Sequence, residues 1–235
     1  MKNLGIFIPT LWLALFCGIL PQNIEAQQFK GIEGRYHPLN QRTPPGMSGY
    51  WMGAIRPDFR GYFQQVKINL PTRGKVTAFD GPQRRELTKT GSLQAGFLVG
   101  QTYRLKLTGL PEFPGEELYP SIELIDRLHP PAGKAQQFPV PVEITADEIA
   151  LARQGKLVTK VIYLEQPQLA SPTGPHKKML TETLNPDQNI LAEADRRGRP
   201  MLILRLGTRA PDSSHPDAHF FGPGAPVKSN PTNRK

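Results

Sequence analysis

The sequence predicts a mainly β domain: an antiparallel β-sandwich with two short helices, with an open α+β sheet as the alternative arrangement. Three observations lead there. Val66, Ile68 and Leu70 alternate with Lys67 and Asn69, and Tyr103, Leu105 and Leu107 alternate with Arg104, Lys106 and Thr108. This is the period-two pattern of strands with one wet face. Pro and Gly, 25 and 22 of 235 residues, form about a fifth of the chain where about 12% is usual, so the elements should be short. Two helix-start signatures, at Thr145 and Asn185, are each followed by a strand-like run, which keeps the α+β alternative open. A mean hydropathy of −0.41 excludes a polytopic membrane protein, and the Pro and Gly load excludes a coiled coil or long helical bundle.

Residues 1–26 are expected to be a secretory signal peptide. Lys2 gives a short positive start, residues 4–20 form an apolar run, and Ile24-Glu25-Ala26 offers a cleavage site before Gln27. An uncleaved anchor is the rival reading, since the run reaches the lower limit of the ~17–25 residues that span a bilayer, but Pro9 breaks it and no stop-transfer cluster follows. A lipoprotein at Cys17 is opposed by the bulky Phe16 before it. Cys17 is the only cysteine, so the mature chain has none, and disulfides, thiol catalysis and cysteine-based zinc sites drop out. No Asn-x-Ser/Thr acceptor with a permitted middle residue occurs, which fits a bacterial envelope protein at least as well as a glycosylated eukaryotic one. The net charge of +9 survives cleavage, because Lys2 and Glu25 cancel. For an exported chain, such a charge points to anionic envelope polymers, lipid headgroups or plain solubility. Nucleic acid is not expected, since the densest basic cluster, Arg196, Arg197 and Arg199, lacks interleaved aromatics.

Residues 27–61 read as an irregular leader whose aromatics Tyr36, Tyr50, Trp51 and Phe59 follow no period; they could tuck against the domain or form a contact surface, and tucking is the commoner outcome for a lone Trp such as Trp51. The β-rich domain then runs over 62–207. Besides the two runs above, strands are expected at 75–79, 121–128, 138–144, 157–164 and 201–206. Pro139 and Pro141 lie on the opposite phase to Val140, Val142 and Ile144, which places that strand at a sheet edge or a bulge. Thr145-Ala146-Asp147-Glu148 is a capping box and Gly155 closes its helix. Asn185-Pro186-Asp187-Gln188 reads as a second helix start, with Gly198 at the end. Residues 208–235, rich in Pro, Ser, Asn and Gly, are expected to be a disordered tail.

Signs of catalysis are sparse. There is no G-x-S-x-G, P-loop, H-E-x-x-H or G-x-G-x-x-G sequence, so no cofactor and no catalytic residue is assigned. The nearest approach to a metal motif is His215, Asp217 and His219 in the tail; without a third and fourth ligand nearby it reads as solvated, and no metal is expected. His37, His129 and His176 sit alone beside prolines. The carboxylate pairs Glu116-Glu117, Asp147-Glu148 and Glu193/Asp195 fall in a loop, a cap and a wet helix face. Asp126 shares the phase of Ile122, Leu124 and Leu128; pointing inward, it would pair with Arg127 or Arg104 in a structural role. The candidate binding residues are Lys67, Arg104 and Lys106. Were their strands paired, these cations would form one shallow basic strip for an anionic polymer; the alternative is a solvated face that only discourages edge pairing.

The runs 61–71 (GYFQQVKINLP), 99–109 (VGQTYRLKLTG), 117–128 (ELYPSIELIDRL) and 198–200 (GRP) resemble a group of uncharacterised exported proteins of planctomycete bacteria over about residues 61–207. The resemblance implies a periplasmic or envelope setting in a bacterium and transfers no functional residue. The expected function is an exported, non-catalytic envelope protein that binds or scaffolds, with an anionic envelope polymer or another envelope protein as partner and no transmembrane span in the mature chain. The alternative is an enzyme acting on cell wall or polysaccharide through carboxylates that the sequence does not pair; a deep pocket holding Asp126 or Glu123 with a second acid would favour it.

Overall fold

The computed structural model describes residues 39–59, 61–167, 181–215, 217 and 219–229. The chain divides into two units, Met1–Gly31 and Ile32–Lys235, and every described residue belongs to the second. The expected signal segment 1–26, the first leader residues 27–38, His176 and the last residues 230–235 lie outside the described residues.

The elements run α1 (Met47–Ile55), β1 (Phe63–Asn69), β2 (Lys75–Asp80), β3 (Arg85–Thr90), β4 (Ser92–Leu98), β5 (Thr102–Thr108), β6 (Ser121–Leu124), β7 (Val140–Glu143), α2 (Ala146–Arg153), β8 (Val158–Glu165), α3 (Ile190–Arg197), β9 (Gly198–Leu206) and β10 (Val227–Ser229). They make a mixed fold of two mostly antiparallel sheets, ordered β10-β4-β1-β7 and β3-β2-β5-β6-β9-β8, with three α-helices among the described residues. β7 runs parallel to β1 at the edge of its sheet. Val140 and Val142 are buried there while Pro141 is exposed, as the phase of the prolines requires.

Alternation decides what is buried. Tyr103, Leu105 and Leu107 of β5 and Val66 and Ile68 of β1 are buried. They join Leu93, Ala95, Phe97, Ile122, Leu124, Leu202 and Leu204 in one apolar cluster drawn from both sheets. A second cluster, Leu39, Met52, Phe59, Val99, Ile125, Leu191 and Ile203, unites the segment before β1 with α3 and the six-stranded sheet. At each apolar position a side chain leaves water, worth about 1.5–3 kcal/mol for a large residue.

Three sequence expectations need correction. Residues 27–61 are not irregular throughout: Met47–Ile55 is a helix, with Ser48, Gly49 and Met52 buried. Its core-facing residues are small or single, so no apolar stripe aimed at a core announces it. The segment 208–235 is not wholly disordered: Val227–Ser229 pairs with β4, and Phe220 is buried. The second capped helix begins later than Asn185. Its cap is Asn189, whose Oδ1 accepts from the amides of Leu191 and Ala192 at 3.0 and 3.2 Å, while residues 185–188 form a turn closed by the Gln188 amide on the Asn185 carbonyl at 3.0 Å. α2 is capped as its sequence says: the Glu148 amide donates to Thr145 Oγ1 at 3.2 Å, and the Thr145 amide donates to Glu148 Oε2 at 3.0 Å.

α3 passes into β9 at Gly198 without an intervening loop. A β-carbon at Gly198 would overlap the Leu164 carbonyl of β8. Gly198→Ala is therefore expected to lower stability by about 1–3 kcal/mol through overpacking of backbone against backbone, measurable by urea denaturation; an unchanged midpoint would show that β8 yields at this point.

Candidate functional site

The carboxylates most able to do chemistry are neutralised inside the protein. Glu123 and Arg205 lie diagonally across the β6–β9 ladder, where Glu123 faces Ile203 and Ser121 faces Arg205. Glu123 Oε2 is 2.8 Å from Arg205 Nη1, and both side chains are buried. Glu123 Oε1 accepts the Gly49 amide at 2.9 Å, satisfying one of the orphan donors in the first turn of α1. Arg205 Nη2 also donates to the Thr43 carbonyl at 3.3 Å. The pair thus fastens the segment before β1 to the sheet. Asp126 is fully buried, but its cation is neither Arg127 nor Arg104. Arg199 Nε lies 3.5 Å from its Oδ2, while Asp126 Oδ1 accepts the Arg127 amide at 2.6 Å. The better defined hollows are open depressions: one of about 240 Å³ lined by Glu116, Glu117, Leu118, Arg153 and Thr208, and one of about 200 Å³ lined by Asn40, Gln41, Arg42, Pro186, Asp187 and Asn189. Neither contains Glu123 or Asp126.

The proposed basic strip does not assemble. β1 and β5 belong to different sheets; Lys67 sits between Gln94 and Pro141, apart from Arg104 and Lys106. The two β5 cations instead meet the chain's own aromatics. Phe79, Tyr119, Phe220 and Phe221 form a cluster with ring centroids 4.5 Å apart for Phe79–Phe221, 4.9 Å for Phe220–Phe221 and 5.3 Å for Tyr119–Phe220. Arg104 stacks 4.4 Å above Phe220, with Arg209 5.7 Å from the same ring and Arg84 5.2 Å from Phe221. Lys106 Nζ lies 2.6 Å from Glu117 Oε1, and the Tyr119 hydroxyl donates to Glu117 Oε2 at 2.5 Å.

The electrostatics of this face suit binding better than proton transfer. Glu117 is held below the usual carboxylate range, first by its bond from Lys106 and then by that from Tyr119. Lys106 is raised by the same contact with Glu117. Tyr119 is raised by burial first and by Glu117 second. All three shifts lead away from neutrality, whereas a general acid or base works best with its pKa near the operating pH. Arg104 is lowered by burial and then by the charge of Arg209, so these two guanidiniums feel each other. Asp217 offsets them in part, lying 3.4 Å from Arg209.

The segment 208–229 is tied down by more than its rings. The Tyr103 hydroxyl accepts the Leu98 amide at 2.8 Å and donates to the Pro226 carbonyl at 2.9 Å, and Asp80 Oδ1 accepts the Val227 amide at 2.8 Å. Burial, the largest cause, holds the Tyr103 phenol neutral by raising its pKa. Tyr103→Phe would leave the Leu98 amide and Pro226 carbonyl without this partner. It is expected to destabilise by about 1–2 kcal/mol and to speed proteolysis within 208–229; unchanged cleavage would show that the rings alone retain the segment.

His215, Asp217 and His219 do not converge. His215 Nδ1 lies 3.4 Å from Asp212 Oδ2, and Asp217 Oδ1 accepts the His219 amide at 2.8 Å. No group of three His, Cys, Asp or Glu side chains able to hold a metal occurs among the described residues. Of the other carboxylate pairs, Glu116 is held by Arg153 at 2.6 and 2.5 Å, Glu148 by Lys160 at 2.5 Å and Glu193 by Arg196 and Arg197. Sequence reasoning missed Phe79, Arg84, Tyr119, Arg209, Phe220 and Phe221. The one available signal was Phe220-Phe221 in an otherwise polar segment, followed by Gly222-Pro223-Gly224. No helix among the described residues is long and apolar enough to cross a membrane. Searches against protein-family models, curated proteins and solved structures gave no match to this chain.

Proposed function

We propose that the chain is an exported, non-catalytic protein of a bacterial periplasm or cell envelope, built as a β-sandwich, that binds an anionic envelope polymer. The observation that carries this reading is the gathering of Arg84, Arg104 and Arg209 around Phe220 and Phe221, while Glu123, Asp126 and Glu117 are each engaged by a cation of the protein itself. An anion at this face would relieve the mutual repulsion of Arg104 and Arg209, which Asp217 offsets only in part. The sandwich is supported by the apolar cluster that both sheets share. Export is supported by the sequence of residues 1–26, and the basic balance of +9 favours anionic partners.

The test is cosedimentation of the chain from Gln27 onward with an insoluble acidic polysaccharide at low and at high salt. Retention is expected at low salt, with loss at high salt and loss in the Arg104→Ser plus Arg209→Ser double variant. Retention that survives both would overturn the assignment of this face. Release of reducing ends from the polysaccharide would overturn the non-catalytic reading. Isolation of the natural protein from the cytoplasmic fraction with residues 1–26 intact would overturn export.

A further inference from the structure

A second surface, distinct from the arginine–aromatic face, stands out on α1. Met47, Tyr50, Trp51, Ala54 and Ile55 are all exposed, and their spacing is i, i+3, i+4, i+7 and i+8, one continuous stripe of a helix. Tyr50 is 72% exposed, Ile55 51%, Met47 42% and Trp51 39%. The stripe faces outward because the opposite side of the helix is fixed. Met52 is buried in the second apolar cluster, and the Gly49 amide is held by Glu123. A β-carbon on Gly49 would come within 2.9 Å of the Gly100 carbonyl, so the helix cannot roll to hide its apolar residues.

Charge flanking the helix in sequence is sparse, with a small positive excess. From Leu39 to Phe59 the sequence has two cations, Arg42 and Arg56, and one acid, Asp58. That acid is bonded to Arg56 at 3.0 and 3.1 Å. α1 itself has no charged residue. A short apolar ridge bearing Tyr and Trp on a basic protein has the aromatic composition of a segment that sits at the headgroup level of a bilayer. Area argues the same way. The exposed parts of these side chains sum to on the order of 500 Å², short of the ~800 Å² per partner of a standard protein interface. A convex ridge needs no matching groove to enter lipid.

We propose that α1 is an interfacial membrane-docking helix, which holds the folded domain against an anionic lipid surface through Met47, Tyr50, Trp51 and Ile55, with the basic charge of the domain aiding approach. The inference stands apart from polymer binding, since it uses other residues and another ligand.

Its test has a built-in reporter. The chain has two tryptophans, Trp12 and Trp51, so in the chain from Gln27, which retains the whole unit Ile32–Lys235, Trp51 is alone. Vesicles of phosphatidylglycerol and phosphatidylcholine in equal parts are expected to bind this chain, to shift Trp51 emission to the blue, and to quench it when the lipid is brominated near the headgroups. Pure phosphatidylcholine should bind more weakly. Tyr50→Ser with Ile55→Ser is expected to weaken binding to the mixed vesicles by on the order of tenfold or more, with thermal unfolding unchanged because both residues are exposed. The quenching measurement needs no variant, so the test survives even a misfolded one. Absence of binding to the mixed vesicles, binding without quenching, or binding unaffected in the folded double variant would each overturn the proposal. Self-association abolished by the double variant, without vesicle binding, would overturn it in favour of a second copy of the chain.

Discussion

Arg205→Ala is expected to destabilise the domain by about 3–5 kcal/mol. The Glu123 carboxylate has no access to water, and its Oε2 has Arg205 as its cation at 2.8 Å. Removing that cation leaves the Glu123 charge buried, with the bond from the Gly49 amide but without its counter-ion. The damage should reach beyond the pair, because Arg205 also holds the Thr43 carbonyl and Glu123 caps α1. Equilibrium urea denaturation would read the loss, and hydrogen exchange at Gly49 would read the loosening of α1. Replacing both members with apolar residues, Glu123→Leu with Arg205→Met, is expected to cost less than Arg205→Ala alone, since no ion is then left in the interior. Near-neutral behaviour of Arg205→Ala would mean that water reaches Glu123 once the arginine side chain is gone.

Phe97→Ala is expected to cost about 3–5 kcal/mol. Phe97 belongs to the four-stranded sheet and is fully buried. Its ring meets the edge of Tyr103 from the six-stranded sheet at a centroid distance of 4.9 Å and an interplanar angle of 77°. Truncation removes apolar burial, opens a cavity, and takes away one wall of the pocket that orients the Tyr103 hydroxyl toward Leu98 and Pro226. The variant should therefore lose stability and also expose 208–229 to protease. A loss below about 1 kcal/mol would mean that the two sheets do not depend on a shared core, and the sandwich reading would fall with it.

Where structure follows from neighbours in sequence, the residues announce it. β5 alternates without error because each side chain needs only its own phase to find the core or the solvent. The Thr145–Glu148 box closes over three residues, and the edge position of β7 follows from prolines that lack a donor. Three strands are quieter. β4 carries its alternation on Leu93, Ala95 and Phe97 with Gly96 between them, a signal diluted by small residues. β3 is a mostly exposed edge strand, Arg-Glu-Leu-Thr-Lys-Thr, that buries almost nothing. β10 has three residues and rests on its pairing with β4.

The candidate sites show the same division more sharply. The sequence by itself determined the phases of β1, β5 and β7, the cap of α2, the lack of cysteine beyond Cys17 and the basic balance, because these depend on residue identity and on spacing within a few positions. Tertiary structure alone decided which cation meets which carboxylate. Arg205 reaches Glu123 across 82 residues, and Gly49 reaches it across 74. Lys67 parted from Arg104 and Lys106 because their strands joined different sheets. Phe220 and Phe221 became the floor beneath Arg104, Arg209 and Arg84 because the chain turned back after β9. Periodicity says which face of a strand is wet, whereas the partner on that face is set by the order of strands in the sheet, and strand order depends on contacts that no local pattern encodes.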